Sequence, residues 1–400
     1  MASAPSDPQR YHALDALRAG MMLSVVVVHA MMAHLALIRT AGVWPFRDAQ
    51  RSPVFDVLFV FIDGFGIPIF MMMAAFFGAM VCERRGGRRL VENRAKRILL
   101  PLVVAWAVLY PIAMAGFVFA RGGGDLAALH AAWAHVRSPE LFEGAYLMHL
   151  WFIYDLLLLY ALALGIRAVV LRFVPPGTRA RVLDGFARLV RAPWGLAVLA
   201  GLTFLTLRPS YSGMLVSYTS FFPPPEAFGM YGPFFAFGWL LYHRRGLLDV
   251  LRDRAWGYTG ASAVLFPIHC GIALANAAGP DPLLRLLTAA SAGVVIWCLT
   301  FGLTGLSLRL FDRPNPWVRY ATDASYWIYL VHLPFTIWIP GLLAAVAWPA
   351  MLKFWVVLTA TLAVTLVSYH YGVRSTAVGA VLNGRRYPRE WPRREGVPVT

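Results

Sequence analysis

LDALRAGMMLSVVVVHA, residues Leu14–Ala30, decides the fold. It opens an apolar run over 17–39, and a bilayer crossing takes about 17–25 residues. Two ionisable side chains interrupt it, Arg18 near its start and His29 well inside, eleven positions apart. At ~1.5 Å of rise and ~3.6 residues per turn, that interval is roughly 16 Å and close to a whole number of turns. Both side chains therefore leave one helix face, one near the membrane edge and one near its centre. An ionisable group that deep is costly and marks function. The pair reads as a polar track leading from the membrane edge to a reactive imidazole.

The rest of the chain agrees with a membrane setting. Of its 400 residues, 59% are hydrophobic and only 14% are charged, against about a quarter in soluble domains. The net charge of +16 sits in short loops between apolar runs. That is the pattern of a basic inner membrane face, so no nucleic-acid partner is expected. Cys82, Cys270 and Cys298 fall in apolar segments, odd in number and without ligand spacing; neither a disulfide framework nor a metal site is expected. The polar start MASAPSDPQRYH precedes no cleavable signal peptide.

Ten stretches are long and apolar enough to span: roughly 17–39, 54–82, 98–120, 146–171, 194–210, 227–243, 257–277, 284–308, 323–346 and 349–372. Basic residues crowd alternate loops, such as Arg84, Arg85, Arg88, Arg89, Arg94, Lys96 and Arg97 after the second stretch. The expected architecture is all-α: a polytopic protein of the inner (cytoplasmic) membrane with about ten transmembrane helices and both termini cytoplasmic. Residues 1–373 form the membrane domain, and 374–400 a basic cytoplasmic tail lying on the inner surface. The opposite face carries three longer loops, 40–53, 121–145 and 211–226.

Further polar groups fall inside or beside spans. Arg94 and Arg97 open the third stretch three positions apart, neighbours on one helix face; two guanidiniums there suit a phosphate, or they anchor a basic loop. His149 and Trp151 stand at the outer end of the fourth, with Asp155 six positions from His149 and facing another way. Ser325, Tyr329 and His332 share a face at i, i+4 and i+7, in a pattern that also serves interhelical hydrogen bonding. Asp63 precedes Gly64, Gly66 and Pro68, which predicts a bent or broken helix of the kind that lines a cavity; its partner is a histidine, Arg18 or a packing contact. His269 beside Pro267 is a further buried candidate.

Taken in order, LDALR followed by ten residues and His29, Arg94-Ala-Lys-Arg97-Ile98-Leu99-Leu100-Pro101, His149-Leu-Trp-Phe152 and the segment SYWIYLVHLP from Ser325 to Pro334 resemble the acyltransferase-3 family of integral membrane acyltransferases. The nearest branch is that of the periplasmic glucan succinyltransferases. The resemblance covers residues 14–334. One departure stands out: where that branch usually shows a histidine and an Arg-Met-Pro-like stretch in the second helix, this chain reads Asp63-Gly-Phe-Gly-Ile-Pro68.

The resemblance implies a ten-helix core and acyl transfer to a hydroxyl of a glycan or similar acceptor, on the periplasmic side. The donor would be acyl-CoA, acetyl-CoA or succinyl-CoA, from the cytoplasm; no permanently bound cofactor is implied. By position, His29 would be catalytic, with Tyr329, His332 and Asp63 as further members of the catalytic group. Arg18, Arg94 and Arg97 would hold the donor, and His149, Trp151 and Ser325 would face substrate. The expected partners are acyl-CoA, the acceptor and the lipid bilayer, with a homo-oligomer left open. A proton-coupled transporter or flippase is the rival reading, since it too needs broken helices and buried ionisable groups; no inverted repeat is visible to support it.

Overall fold

A computed structural model describes residues 11–39, 44–210 and 212–392, which are helix and loop throughout. Each of the ten apolar stretches carries helix. The first is α1 (His12–Met31), prolonged by a 3-10 turn to His34. The second breaks, as Gly64, Gly66 and Pro68 predict, into α2 (Pro53–Asp63) and α3 (Gly66–Arg85). A basic helix, α4 (Gly87–Arg94), runs through a π-turn at Ala95–Leu99 into α5 (Leu100–Arg121).

Then follow α6 (Leu126–Arg137), α7 (Trp151–Phe173), α8 (Pro176–Arg191) and α9 (Gly195–Leu207). The second half comprises α10 (Pro225–His243), α11 (Leu247–Asp253), α12 (Ala255–Ala278), α13 (Pro282–Leu310), α14 (Pro316–Leu342), α15 (Ala350–Ser368) and α16 (Ala377–Asn383). Several starts are written locally. Pro53, Pro282 and Pro316 occupy first-turn positions, where a missing N–H costs nothing. The preceding Ser52, Asp281 and Asn315 accept from first-turn backbone N–H groups.

Seven helical segments among the described residues are long and apolar enough to cross a membrane, or eight if the bent pair α8–α9 is one span. The ten-span expectation exceeds this for physical reasons. At 13 residues, α9 is roughly 20 Å long at ~1.5 Å per residue, short of the ~30 Å hydrocarbon core, and it meets α8 at 103°. α10 is long enough at 19 residues, but Glu226, His243 and its glycines, prolines and tyrosines lower its hydropathy. The 27 residues of α14 include tyrosines, tryptophans, prolines and a histidine that lower its hydropathy.

The N-terminal helix is the hub. α1 packs against α14, α13, α3 and α15. Its N-terminal turn is tied down by the Ser307 and Thr322 hydroxyls, which donate to the Ala13 and Asp15 carbonyls. Close approach sets part of the packing: a Cβ at Gly238 of α10 would collide with the Met72 backbone of α3.

The chain after α1 is clamped across the helix ends. The Asp56 carboxylate accepts from the Ala36, Leu37 and Ile38 N–H groups. Lys353 of α15 donates to both oxygens of Asp48 at 2.8 and 3.0 Å, with side chains 1% and 0% exposed. These bonds seat Trp44 inside the bundle.

Residues 374–392 double back on the end of the bundle that carries Arg18. The Tyr387 N–H donates to the Arg374 carbonyl, and Arg374 Nε donates to the Pro388 carbonyl. The Trp391 ring stacks on His370 at 4.0 Å.

Candidate active site

Three histidines from three helical segments meet inside the bundle. His29 comes from α1, His149 from the 3-10 turn Met148–Leu150 that opens α7, and His332 from α14. Their ring centroids lie 4.9 Å (His29–His332), 5.1 Å (His149–His332) and 6.3 Å (His29–His149) apart. The decisive contact is His29 Nδ1 to His332 Nε2, 2.9 Å.

The surrounding acceptors assign the protons. His332 Nδ1 faces the Ile328 and Tyr329 carbonyls at 3.1 and 2.8 Å. Carbonyls only accept, so the proton of neutral His332 is on Nδ1 and its Nε2 is a lone pair. Nε2 therefore accepts from His29 Nδ1–H, which also faces the Val25 carbonyl at 3.0 Å. This leaves Nε2 as the basic nitrogen of His29. By the same logic His149 Nε2 donates to the Leu330 carbonyl at 3.1 Å, and its buried Nδ1 is a lone pair without a protein partner. The Tyr329 hydroxyl donates to the His149 carbonyl at 2.8 Å and fixes the turn that carries that ring.

His29, His149 and Tyr329 line a cavity of about 380 Å³, whereas His332 stands behind His29 and does not reach it. The other walls are largely aromatic, including Trp44, Phe70, Phe117, Tyr146 and Trp151. Trp44 faces His29 at 5.9 Å between ring centroids, with a buried indole N–H that has no protein acceptor. Asp63, Ser212, Ser217 and Asn276 add polar groups. The Asp63 carboxylate lies near the Leu215 backbone, and among the described residues it forms no ion pair with Arg18 or a histidine. Asn276 donates to the Ser212 carbonyl at 2.9 Å, and its buried Oδ1 is unpartnered. Arg39 and Pro280 border the cavity where α1 and α12 end, the end opposite Arg18.

The sequence-stated groups divide cleanly. Asp63, His149 and Trp151 reach the cavity with His29 and Tyr329. Ser325 does not: it is buried one turn away, its hydroxyl spent on the Thr322 carbonyl of its own helix at 2.8 Å. Asp155 is buried, and neither carboxylate oxygen has a partner. His269 bonds Ser291 between α12 and α13, away from the cavity wall.

At the other end of α1, Arg18 pairs with Asp15 at 3.7 Å. Arg97 lies within electrostatic reach of Arg18, Arg85 and Arg94. The Arg94 guanidinium caps the Tyr160 ring at 4.5 Å and is also in electrostatic reach of Tyr326. The Tyr326 hydroxyl is buried without a partner, and its ring stacks on Tyr329 with centroids 6.4 Å apart. A line of polar groups thus runs from Arg94 through Tyr326 and Tyr329 to the histidines.

Sequence reading did not single out Trp44, Asn276 or Tyr326 as site residues. The only local signal was a tryptophan in a loop opposite the basic face and polar groups within spans.

A family model described as an acyltransferase domain matches residues 11–370. Among curated proteins, glucans biosynthesis protein C of Escherichia coli (strain SMS-3-5 / SECEC) is 21% identical over 346 residues, 83% of this chain and 84% of that protein. The same-named protein of Escherichia coli (strain K12) is 20% identical over the same shares. No solved structure matches. A match over nearly the whole described bundle, around a cavity walled by His29, identifies the chain as a member of the acyltransferase-3 family and as a membrane acyltransferase.

Proposed function

We propose that this protein is an O-acyltransferase moving an acetyl or succinyl group from cytoplasmic acyl-CoA to a hydroxyl of a glycan or similar acceptor on the periplasmic side of the inner membrane. The observation that carries the reading is the His29–His332 pair at the wall of the cavity, with arginines at one end of α1 and the cavity mouth at the other. Arg18, Arg94 and Arg97 would hold the CoA phosphates bidentately. The pantetheine arm would run from the arginines past Tyr326 and Tyr329 toward His29, which stands ~16 Å along α1 from Arg18. The acceptor would enter past Arg39. The name of the relatives, glucans biosynthesis protein C, supports a sugar acceptor, as do the aromatic walls and the unpartnered Asn276 Oδ1.

In the chemical step, His29 Nε2 takes the proton of the acceptor hydroxyl as its oxygen attacks the thioester carbonyl. The tetrahedral intermediate collapses with cleavage of the C–S bond. The thiolate takes the proton back from His29, giving CoA and the ester. His332 holds the Nδ1–H throughout and stabilises the transient imidazolium. Attack by His29 Nε2 itself, giving an acyl-imidazole, uses the same tautomer; labelled acyl group retained on protein without acceptor distinguishes that route.

The test uses protein in nanodiscs with acetyl-CoA and succinyl-CoA and a linear glucan oligosaccharide. Thiol release that requires both the oligosaccharide and His29 is expected. Turnover unchanged in His29→Ala overturns the assignment. Binding of neither donor favours a carrier, which has no reason to consume a thioester.

A further inference from the structure

The C-terminal residues are joined to the arginine cluster. α16 packs against the π-turn that carries Arg97. It ends at Gly384, whose φ of 81° is the left-handed conformation glycine adopts most readily. A Cβ there would collide with Arg97 Nη2, so the glycine lets the strap lie directly on that guanidinium. Three residues on, Tyr387 is ringed by cations: Arg385, Arg374 and Arg319 lie 4.7, 5.1 and 5.8 Å from its ring centroid. Its hydroxyl donates to Asp323 at 3.4 Å, and Tyr387 is itself in electrostatic reach of Arg97.

The strap is fastened at both legs, by Tyr387 N–H to Arg374 O and by Arg389 Nε to Ser375 Oγ at 2.9 Å. A buried Nη1 of Arg374 has no protein partner. The geometry therefore sets a second guanidinium group beside the first, with Tyr387 between them and Asp15 and Asp323 among the neighbouring carboxylates.

We infer that residues 374–392 form one wall of the donor site, where Arg319, Arg374 and Arg385 take a phosphate of the nucleotide head of CoA while Arg18, Arg94 and Arg97 take the other charges. This inference rests on the acyl-CoA reading above. The presence of two guanidinium groups suits the chemistry of the donor: CoA carries a 3′-phosphate apart from its diphosphate, and planar guanidiniums recognise such oxygens in a paired fashion. A lipid phosphate has the same chemistry, so the experiment must tell the two apart.

Binding of acetyl-CoA and of 3′-dephospho-acetyl-CoA is measured on the full chain in phosphatidylcholine nanodiscs. The comparison includes Arg319→Gln/Arg385→Gln, which alters two exposed side chains, and Gly384→Val, which strains the left-handed turn and competes with the Arg97 guanidinium for its place. The wild type is expected to prefer acetyl-CoA by about tenfold or more, the scale of a lost charge-assisted contact. In both variants that ratio is expected to fall toward one. A folding defect would weaken both thioesters alike, whereas a strap that touches no donor would leave both unchanged; an intact ratio in a double variant that still binds 3′-dephospho-acetyl-CoA as the wild type does overturns the inference. So does a double variant that loses only its response to added phosphatidylglycerol, since the cluster is then a lipid site. A wild type that binds neither thioester removes the acyl-CoA reading itself, whereas one that binds both equally removes only this inference.

Discussion

Replacing His332 with leucine isolates what the histidine pair contributes. His332 does not line the cavity, so the substitution touches neither donor nor acceptor. It removes the acceptor that stands 2.9 Å from His29 Nδ1. In the resting enzyme that bond joins two neutral rings, and the Val25 carbonyl at 3.0 Å partly replaces it. In the proposed transition state His29 becomes an imidazolium, and a hydrogen bond from a charged donor contributes about 1.5–3 kcal/mol. At ~1.4 kcal/mol per factor of ten, kcat is expected to fall about 10- to 150-fold, with the KM for acyl-CoA little changed.

His332→Gln provides the control. Its carboxamide oxygen can occupy the place of Nε2 and accept the same proton, so it should recover a substantial part of the loss. The assay is CoA thiol release in nanodiscs under saturating donor, with thermal unfolding to exclude a folding defect. Activity of His332→Leu within twofold of wild type would refute the argument, as would a glutamine variant no better than the leucine variant.

Three other outcomes follow from the structure. Lys353→Met leaves Asp48 buried and unpaired, which costs about 3–5 kcal/mol; Asp48→Asn on top of it should recover much of the lost thermal stability in detergent, and a double variant as unstable as the single would argue against the ion pair as the clamp. Asn276→Leu removes the unpartnered Oδ1 at the cavity wall and should raise the acceptor KM about tenfold with the donor KM unchanged; a shift in the donor KM instead would place it on the wrong side of the reaction. Gly238→Val drives a side chain into the Met72 backbone and should destabilise by about 1–3 kcal/mol or more, readable as a lowered unfolding temperature; an unchanged temperature would mean that α3 and α10 part easily.

The deepest expectations concerned single helices, and those were legible. Hydropathy and length marked where helix would form, because each apolar stretch must satisfy its own backbone in lipid. Gly64, Gly66 and Pro68 announced the break after Asp63. The period of ~3.6 residues placed Arg18 and His29 on one face of α1 and Tyr329 and His332 together on α14. The number of spans was less legible, since α9 is apolar but too short and α14 is long but less apolar.

What the sequence by itself determined is therefore the all-helical membrane class, the arginine–histidine axis of α1 and the local caps and breaks, all of which depend on neighbours a few residues apart. The tertiary structure alone decided that His332, 303 positions from His29, is the group that orients it. It also decided that His149 joins them, that Ser325 is turned inward on its own helix, that Lys353 clamps the Trp44 loop, and that the tail closes on Arg97. The reason is physical. A membrane helix is apolar on its outward and its packed faces alike, so no amphipathic stripe reveals which face meets which partner. Its polar contacts are set by the packing of helices far apart in the chain, where the lack of a side chain at residues such as Gly238 determines how near two backbones come.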